Sequence, residues 1–403
     1  MIQRFRKTRA GKKLFANRLA LGALAIIGVY LIAAVYVTLG GISPSFCNQP
    51  VGPPNVPGLF IKAPAEKRLV NAENTLAVID RSLGKSDPAA QQASLDETRI
   101  GLRKIAALSL EEVNAKVEEG YNLYDQLTET SDLEGSPSAM TLLSELESVV
   151  ESLTAPPSSG GVLLETVYLC LGTDRQGRSI FIRAIFSIKV AVQIGVVTAL
   201  ISVTIGSILG ALAGFFGGWV DHAVIWLYST FSSIPNLVLL VVLAYVFSSI
   251  NVEIFGKAIG QTLIPVYVAF CCTFWIGPCR VIRGETLKIK ELEYVQASTT
   301  AGFSPLYTLL KHVLPNTIHL MLINFSLLLI GAIKSEVILS FLNLGVQAGA
   351  GASWGIMIRD SRSEVLNSFF WQIGAATTLM FIFVLAFNIL SDALQDAFDP
   401  KHV

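Results

Sequence analysis

Charge is scarce in this sequence: Asp, Glu, Lys and Arg make up 15% of its 403 residues, where an ordinary soluble domain carries about 25%. The charges present cancel, 30 basic against 30 acidic, so no global basic field argues for nucleic acid. Histidine is nearly missing, with four residues and no His-Glu-x-x-His. Five cysteines include no Cys-x-x-Cys pair and no metal-like cluster with histidine, which removes the usual zinc and dithiol patterns. A phosphate loop is also lacking. Gly84-Lys85-Ser86 comes nearest, but the earlier glycine would have to stand at Ile79, and no apolar strand precedes it. That tripeptide reads as a turn between helices. The chain thus offers no catalytic, cofactor-binding or metal constellation, and any energy input must come from a partner.

What remains is apolarity. Hydrophobic residues make up 52% of the chain and mean hydropathy is +0.57, and the excess is concentrated in runs. Residues 19–40 carry no charge and can cross a hydrocarbon core of ~30 Å. Arg4, Arg6, Lys7, Arg9, Lys12, Lys13 and Arg18 crowd the segment 1–18 before them, which predicts a cytoplasmic N-terminus. A cleaved signal peptide has a similar basic start, but its apolar region is shorter, about 7–15 residues. Further runs at 190–220, 223–252, 258–279, 317–333 and 369–390 bring the expectation to six spans with both termini cytoplasmic. Loop 280–316 then falls inside, where Arg280, Arg283, Lys288, Lys290 and Lys311 suit it. Arg175, Arg178, Arg183 and Lys189 fall outside against that rule, and 174–189 is read as an interfacial helix reaching toward headgroups.

Residues 41–170 differ in kind: a Pro-rich lead at 51–59, then a polar, acidic stretch with helical periodicity. Leu69, Ala72, Leu76, Ile79 and Leu83 form one seam. Asp87-Pro88 opens a second helix through Leu95, Leu102 and Ile105. Ser109 with Glu112 is a capping box starting a third, through Val113, Val117 and Leu127. A fourth carries Leu143, Leu146, Val150 and Leu153 and stops at Pro156-Pro157. The expected architecture is therefore all-α: a polytopic membrane protein of six transmembrane helices with an inserted extracytoplasmic helical-hairpin domain.

Within the spans, Gly206, Gly210 and Gly214 repeat at four, a stripe that lets a second helix approach closely. Pro235 and Pro265 predict kinks or cavity-lining carbonyls. Lys334 and Glu336 stand in an apolar run and are functional candidates by type, or residues near the membrane surface. Two positions apart, they point to different helix faces and are no mutual pair.

The inside loop is the most informative stretch. Residues 292–301 read as a short helix ended by Gly302, and Ser304-Pro305 opens a second that Pro315 stops. Such a unit at a membrane surface suits a docking knob. Glu293, then Gln296-Ala297-Ser298, then Gly302, then Leu314-Pro315 resembles the EAA loop of ABC importer permeases, with Gln296 for Glu and Ser298 for the second Ala. Leu171-Gly172-Thr173-Asp174 with Gly177-Arg178 is similar to the dipeptide/oligopeptide permease family, C-type subunit. So are Gly217-Gly218-Trp219-Val220-Asp221, Phe341-Leu342 with Leu344-Gly345, and Ser353-Trp354-Gly355. Asn388, Asp392, Asp396 and Asp399-Pro400 complete the series, and the likeness covers roughly 171–400 plus the first span. Ser179 stands where that family usually has Asp, and Ser187 where it often has Gly. Gln296 removes a charge from the coupling helix, and the likeness says nothing about the 41–170 insert.

This resemblance implies that 171–403 is an ABC importer transmembrane domain in a bacterial or archaeal cytoplasmic (inner) membrane. It also implies partners: a second, B-type permease subunit, two ABC ATPase domains holding ATP-Mg, and an extracytoplasmic substrate-binding protein. The expected cargo is a peptide or similar small solute. Two other classes compete. A secondary transporter or channel would need more ionisable groups in its spans than Lys334 and Glu336. A sensory or mechanotransmitting membrane protein would work through the insert and need no pore. Retention of the loop pattern argues against both. Cys47 and Cys170 bracket the insert on the expected oxidising side and are candidates for a disulfide, or else two unpaired small apolar residues. Cys271, Cys272 and Cys279 lie in a span and should stay reduced.

Overall fold

The computed structural model describes residues 16–398 apart from 53, 59–63, 85–87, 101–102, 131–132, 156–160, 250–252, 255–256, 259–261, 347–350 and 368. Outside the described residues lie the basic residues before Arg18, Lys85 and Ser86, Asp87, Leu102, Pro156-Pro157 and Asp399-Pro400. Helices dominate. Among the described residues, five are long and apolar enough to cross a membrane: α1 (Arg18–Thr38), α7 (Ile180–Phe216), α10 (Ile264–Ile289), α12 (Pro305–Phe341) and α13 (Trp371–Phe398). A sixth is reached if α8 (Gly218–Ser232) and α9 (Asn236–Ser248), bent by 87° at their junction, are one span. Contacts divide the chain into two compact units: 1–44, 184–360 and 376–403 form one, and 45–183 with 361–375 the other.

In the first unit, the Asn17 side chain caps α1 by accepting from the Leu19 and Ala20 amides. Tyr30 fixes α1 to α13, donating its hydroxyl to the Leu379 carbonyl at 2.9 Å and stacking on Phe383 at 4.8 Å. The glycine stripe of α7 lies against α10. A Cβ at Gly206 would meet the Trp275 carbonyl, one at Gly210 the Cys279 carbonyl, and one at Gly214 the Arg283 carbonyl. Backbone therefore packs on backbone over two turns, the contact that small residues spaced at four permit.

Two prolines behave differently from expectation. Pro265 sits in the first turn of α10, where its missing N–H would have had no intrahelical partner, so it kinks nothing. Pro315 does not stop its helix. Instead α12 widens to π turns over Leu309–Val313 and tightens to 3-10 turns over Leu314–Thr317. It then runs on as Ile318–Phe341. A π turn gives the ring room beside the preceding carbonyls, so the helix bends its hydrogen bonding and continues. Pro235 does mark a break, at the start of α9. Arg283 ties α8 to α10 by two hydrogen bonds to Asp221.

The second unit holds the insert. Its helices are α2 (Ala65–Leu83), α3 (Pro88–Glu97), α4 (Leu110–Thr128), α5 (Pro137–Leu153) and α6 (Gly161–Tyr168). The predicted seams meet in one core containing Leu76, Ile79, Val113, Leu127, Leu143 and Leu146. The Ser109–Glu112 capping box is formed in both directions, and those bonds hold the Glu112 carboxyl below its ordinary range. Arg68 of α2 clasps Glu147 of α5 through two hydrogen bonds, which push the guanidinium pKa up further. The insert is not purely helical. β1 (Arg99–Ile100), β2 (Arg103–Ile105) and β3 (Thr154–Ala155) form a small antiparallel sheet with Ile105 opposite Thr154. Segment 361–375 joins this unit, with Lys67 over the Phe369 ring. Cys47 and Cys170 form no disulfide in the structure, and burial raises the Cys170 thiol pKa.

The expected interfacial helix at 174–189 is corrected. Residues 174–179 form a loop and α7 begins at Ile180. Asp174, 1% exposed, pairs with Arg178 at 2.7 Å and with equally buried Arg183 at 2.6 Å. Its other oxygen accepts from the Gln176 and Arg178 amides. Arg175 lends its backbone N–H to Glu364 at 2.8 Å. Arg178 and Arg183 reach inward to one carboxylate because a buried acid with four donors is fully compensated. Ser179 accepts from the Ile182 amide at 3.1 Å, so it performs the N-cap role that an Asp would serve.

Candidate functional site

The stretch predicted to form a docking knob folds as a helix, a reversed cap and a second helix. Here α11 (Glu293–Thr300) starts after extended Leu292. Its end is a full Schellman closure. Gly302 N–H donates to the Thr299 carbonyl at 3.1 Å and Phe303 N–H to the Ser298 carbonyl at 3.3 Å, the paired bonds of that motif. Gly302 holds φ at +81°, the left-handed region that a Cβ disfavours. Ser304 then caps the first turn of α12 by accepting from the Tyr307 amide.

One face of this loop is anchored. Val295, Leu309 and Val313 are buried against Ala211 of α7 and Ile282 and Ile289 of α10. Between the two arms the buried hydroxyls of Ser298 and Thr308 bond at 3.0 Å. Asn316 completes the fastening, donating to the Tyr294 hydroxyl at 2.7 Å and to the His312 carbonyl at 2.8 Å. Ser298, Val295 and Thr308 thus hold the loop, while the rest of the motif faces out.

The residues singled out from sequence divide accordingly. Glu293, Gln296 and Ala297 are exposed on α11, Gly302 is exposed at its end, Leu314 is half-buried and Pro315 exposed. Gln296 donates its amide to the Glu291 carbonyl at 3.2 Å, so its side chain is folded back toward the turn before α11. Beside them a run of large apolar side chains is open: Leu292, Phe303, Leu306 and Leu310 are 46%, 50%, 54% and 56% exposed. Phe303 and Tyr307 stack at 5.0 Å, which stiffens that surface. Thr308, Tyr294 and Asn316 were not foreseen. Their signal lies in the three-residue step from Val295 to Ser298, which marks an inward face that needs a partner. Cys47 and Cys170 belong to the other compact unit and lie outside this site. Of the intramembrane candidates, Glu336 is buried and accepts from the Ser340 hydroxyl at 2.7 Å, while Lys334 is exposed on another face of α12.

Residues 206–402, which contain the whole loop, match the family described as binding-protein-dependent transport system inner membrane component. The chain is 35% identical over 230 residues to the dipeptide transport system permease protein DppC of Bacillus subtilis, covering 57% of this chain and 68% of that one. It is 32% identical over 234 residues to the oligopeptide transport system permease protein OppC of Haemophilus influenzae, covering 58% and 71%. The glutathione transport system permease protein GsiD of Pectobacterium atrosepticum is 30% identical over 231 residues, covering 57% and 72%.

A test of the loop follows from the open space around Gly302, where a Cβ would meet no atom within 4 Å. Any cost of substitution is then backbone strain alone. Gly302→Val is expected to destabilise the closure by about 1–3 kcal/mol, while Gly302→Asn, which tolerates φ above zero, should cost less. Hydrogen exchange at the Gly302 and Phe303 amides measures this. Equal protection in the Val and Asn variants would contradict it.

Proposed function

The chain belongs to the family of binding-protein-dependent transport system inner membrane components, as a C-type peptide permease of the ABC importer class, and we propose from this that it moves peptides or similar small solutes across the membrane. On this reading it performs no bond chemistry. Partner ATPase domains hold ATP-Mg and hydrolyse it, a B-type permease supplies the other half of the path, and a binding protein outside delivers solute. The observation that carries the reading is the 293–317 loop: a helix pinned to α7 and α10 on one face and open on the other. ATPase closure pushes that helix, and the spans respond by exchanging inward and outward access, a two-state shift.

The open apolar set points to the form of the contact. Leu292, Phe303, Leu306 and Leu310 are too many large side chains to leave in water without purpose. With Gln296 in place of a carboxylate and its amide turned back on Glu291, the docking energy comes from burying these side chains and not from an ion pair. Six spans, counting α8 and α9 as one, put both termini and the loop in the cytoplasm and the insert outside, the side where a binding protein would meet it. The resemblance to permeases of peptide systems supports this reading over a sensory role, which would not require the loop.

Two measurements test it. Leu306→Asp should remove a contact of about 2 kcal/mol, weakening ATPase association about 30-fold, seen as loss of the co-purified ATPase and of ATP hydrolysis stimulated by the loaded binding protein. Undiminished stimulation would exclude the apolar contact. Asn114→Cys, at an exposed position of α4, should gain labelling by a membrane-impermeant maleimide in intact cells relative to the parent. Gain only after permeabilisation would reverse the topology.

A further inference from the structure

Below the bend at Pro235 lies a cavity of about 530 Å³ that the loop does not explain. Its walls come from the α8–α9 bend, from α10 around Ile276 and Gly277, and from the face of α12 carrying Leu328, Gly331 and Lys334. Those three positions step by three along α12, so they share one side of the helix. The volume falls in the range of small-molecule sites.

The electrostatics of this cavity are one-sided. Lys334 is the sole charged residue among its described lining, and no carboxylate faces it there. Glu336 is turned to the opposite side, where Ser340 donates to it. At the cavity edge, Ser232 accepts from the Arg280 guanidinium at 2.7 Å, which places a second cation beside the same space. The remaining lining is apolar, with the side chains of Ser232, Asn236, Thr273 and Ser335 as its polar groups. Lys334 stands seven residues from the end of α12, or ~10 Å along the axis, directly after the apolar run 327–333. An ammonium inside an apolar span is costly unless it meets a water-filled path or an anion.

We propose that this cavity is a solute site in which the Lys334 ammonium binds a carboxylate of the transported molecule. The inference rests on the permease reading above and adds to it a chemical class: solutes with a free carboxylate, of which a peptide C-terminus is one. The apolar walls accept a side chain of any shape, and the single cation fixes the end of the chain. A low-dielectric surround strengthens such a charge-assisted bond.

The test uses the complete transporter reconstituted in proteoliposomes with its binding protein. Uptake of a peptide with a free C-terminal carboxylate is compared with uptake of its C-terminal amide. Lys334→Met should reduce uptake of the free acid about tenfold and leave the amide unchanged, while Lys334→Arg should retain most of the preference. Stimulated ATP hydrolysis reports that the complex is intact in each variant. In parallel, acylation of Lys334 by an amine-reactive reagent is followed by mass spectrometry in the parent complex with the binding protein left out. The free acid should slow it and the amide should not. Equal loss of both uptakes, or acylation indifferent to the free acid, would overturn the site and point to Lys334 pairing with an acid of the second subunit. If the parent complex takes up neither peptide, the peptide reading itself falls, and the site with it.

Discussion

Close approach of α7 and α10 is the constraint on which the candidate site depends. Gly206, Gly210 and Gly214 face the carbonyls of Trp275, Cys279 and Arg283, with the side chains of Pro278 and Thr286 closing on the first and last of them. In lipid, where hydrophobic burial drives little helix association, this kind of contact holds helices together. The seam ends where the loop begins. Ala211 on α7 and Ile282 and Ile289 on α10 form the floor on which Val295, Leu309 and Val313 rest. The loop therefore rests on two spans packed backbone to backbone, an arrangement that follows from glycine spacing in a single helix.

A second constraint operates in the other compact unit. Asp174 gathers Arg178, Arg183 and two backbone amides around one buried carboxylate. Removing Asp174 would leave the equally buried Arg183 as an uncompensated charge, a change that costs about 3–5 kcal/mol in comparable sites. The acid stands immediately before α7, with Ser179 capping that helix. The motif that resembles a family landmark thus has a physical reason: it fixes where the long span starts.

Much of this was legible from sequence because the determining signals are local. Apolar runs, the capping box at Ser109 and the left-handed cap at Gly302 depend on residues within one or two turns of each other. The glycine stripe was legible as a seam, although its partner helix was not. What escaped depends on distant pairing or on adjustable backbone. Arg178 and Arg183 look like headgroup cations until Asp174 is seen between them, since a charge run does not announce whether its partners are lipid or protein. Pro315 looks like a stop because a proline cannot continue an α turn, yet π and 3-10 turns carry α12 past it. The candidate Cys47–Cys170 bridge, one of two readings left open, rested on compartment and position, which do not fix whether two thiols meet. In the loop, the division of the motif into an open face and a buried one, with Ser298 on Thr308, required the fold.

The central claim is that the open face of α11 touches an ATPase. Cross-linking measures this directly: Ala297→Cys, exposed on α11, is treated with a short bifunctional maleimide in membranes that contain the assembled complex. A covalent adduct between this chain and the ATPase subunit is expected, with none from a cysteine placed on α4 of the insert. An adduct from the α4 position, or none from Ala297→Cys in a complex that hydrolyses ATP on stimulation, would contradict it.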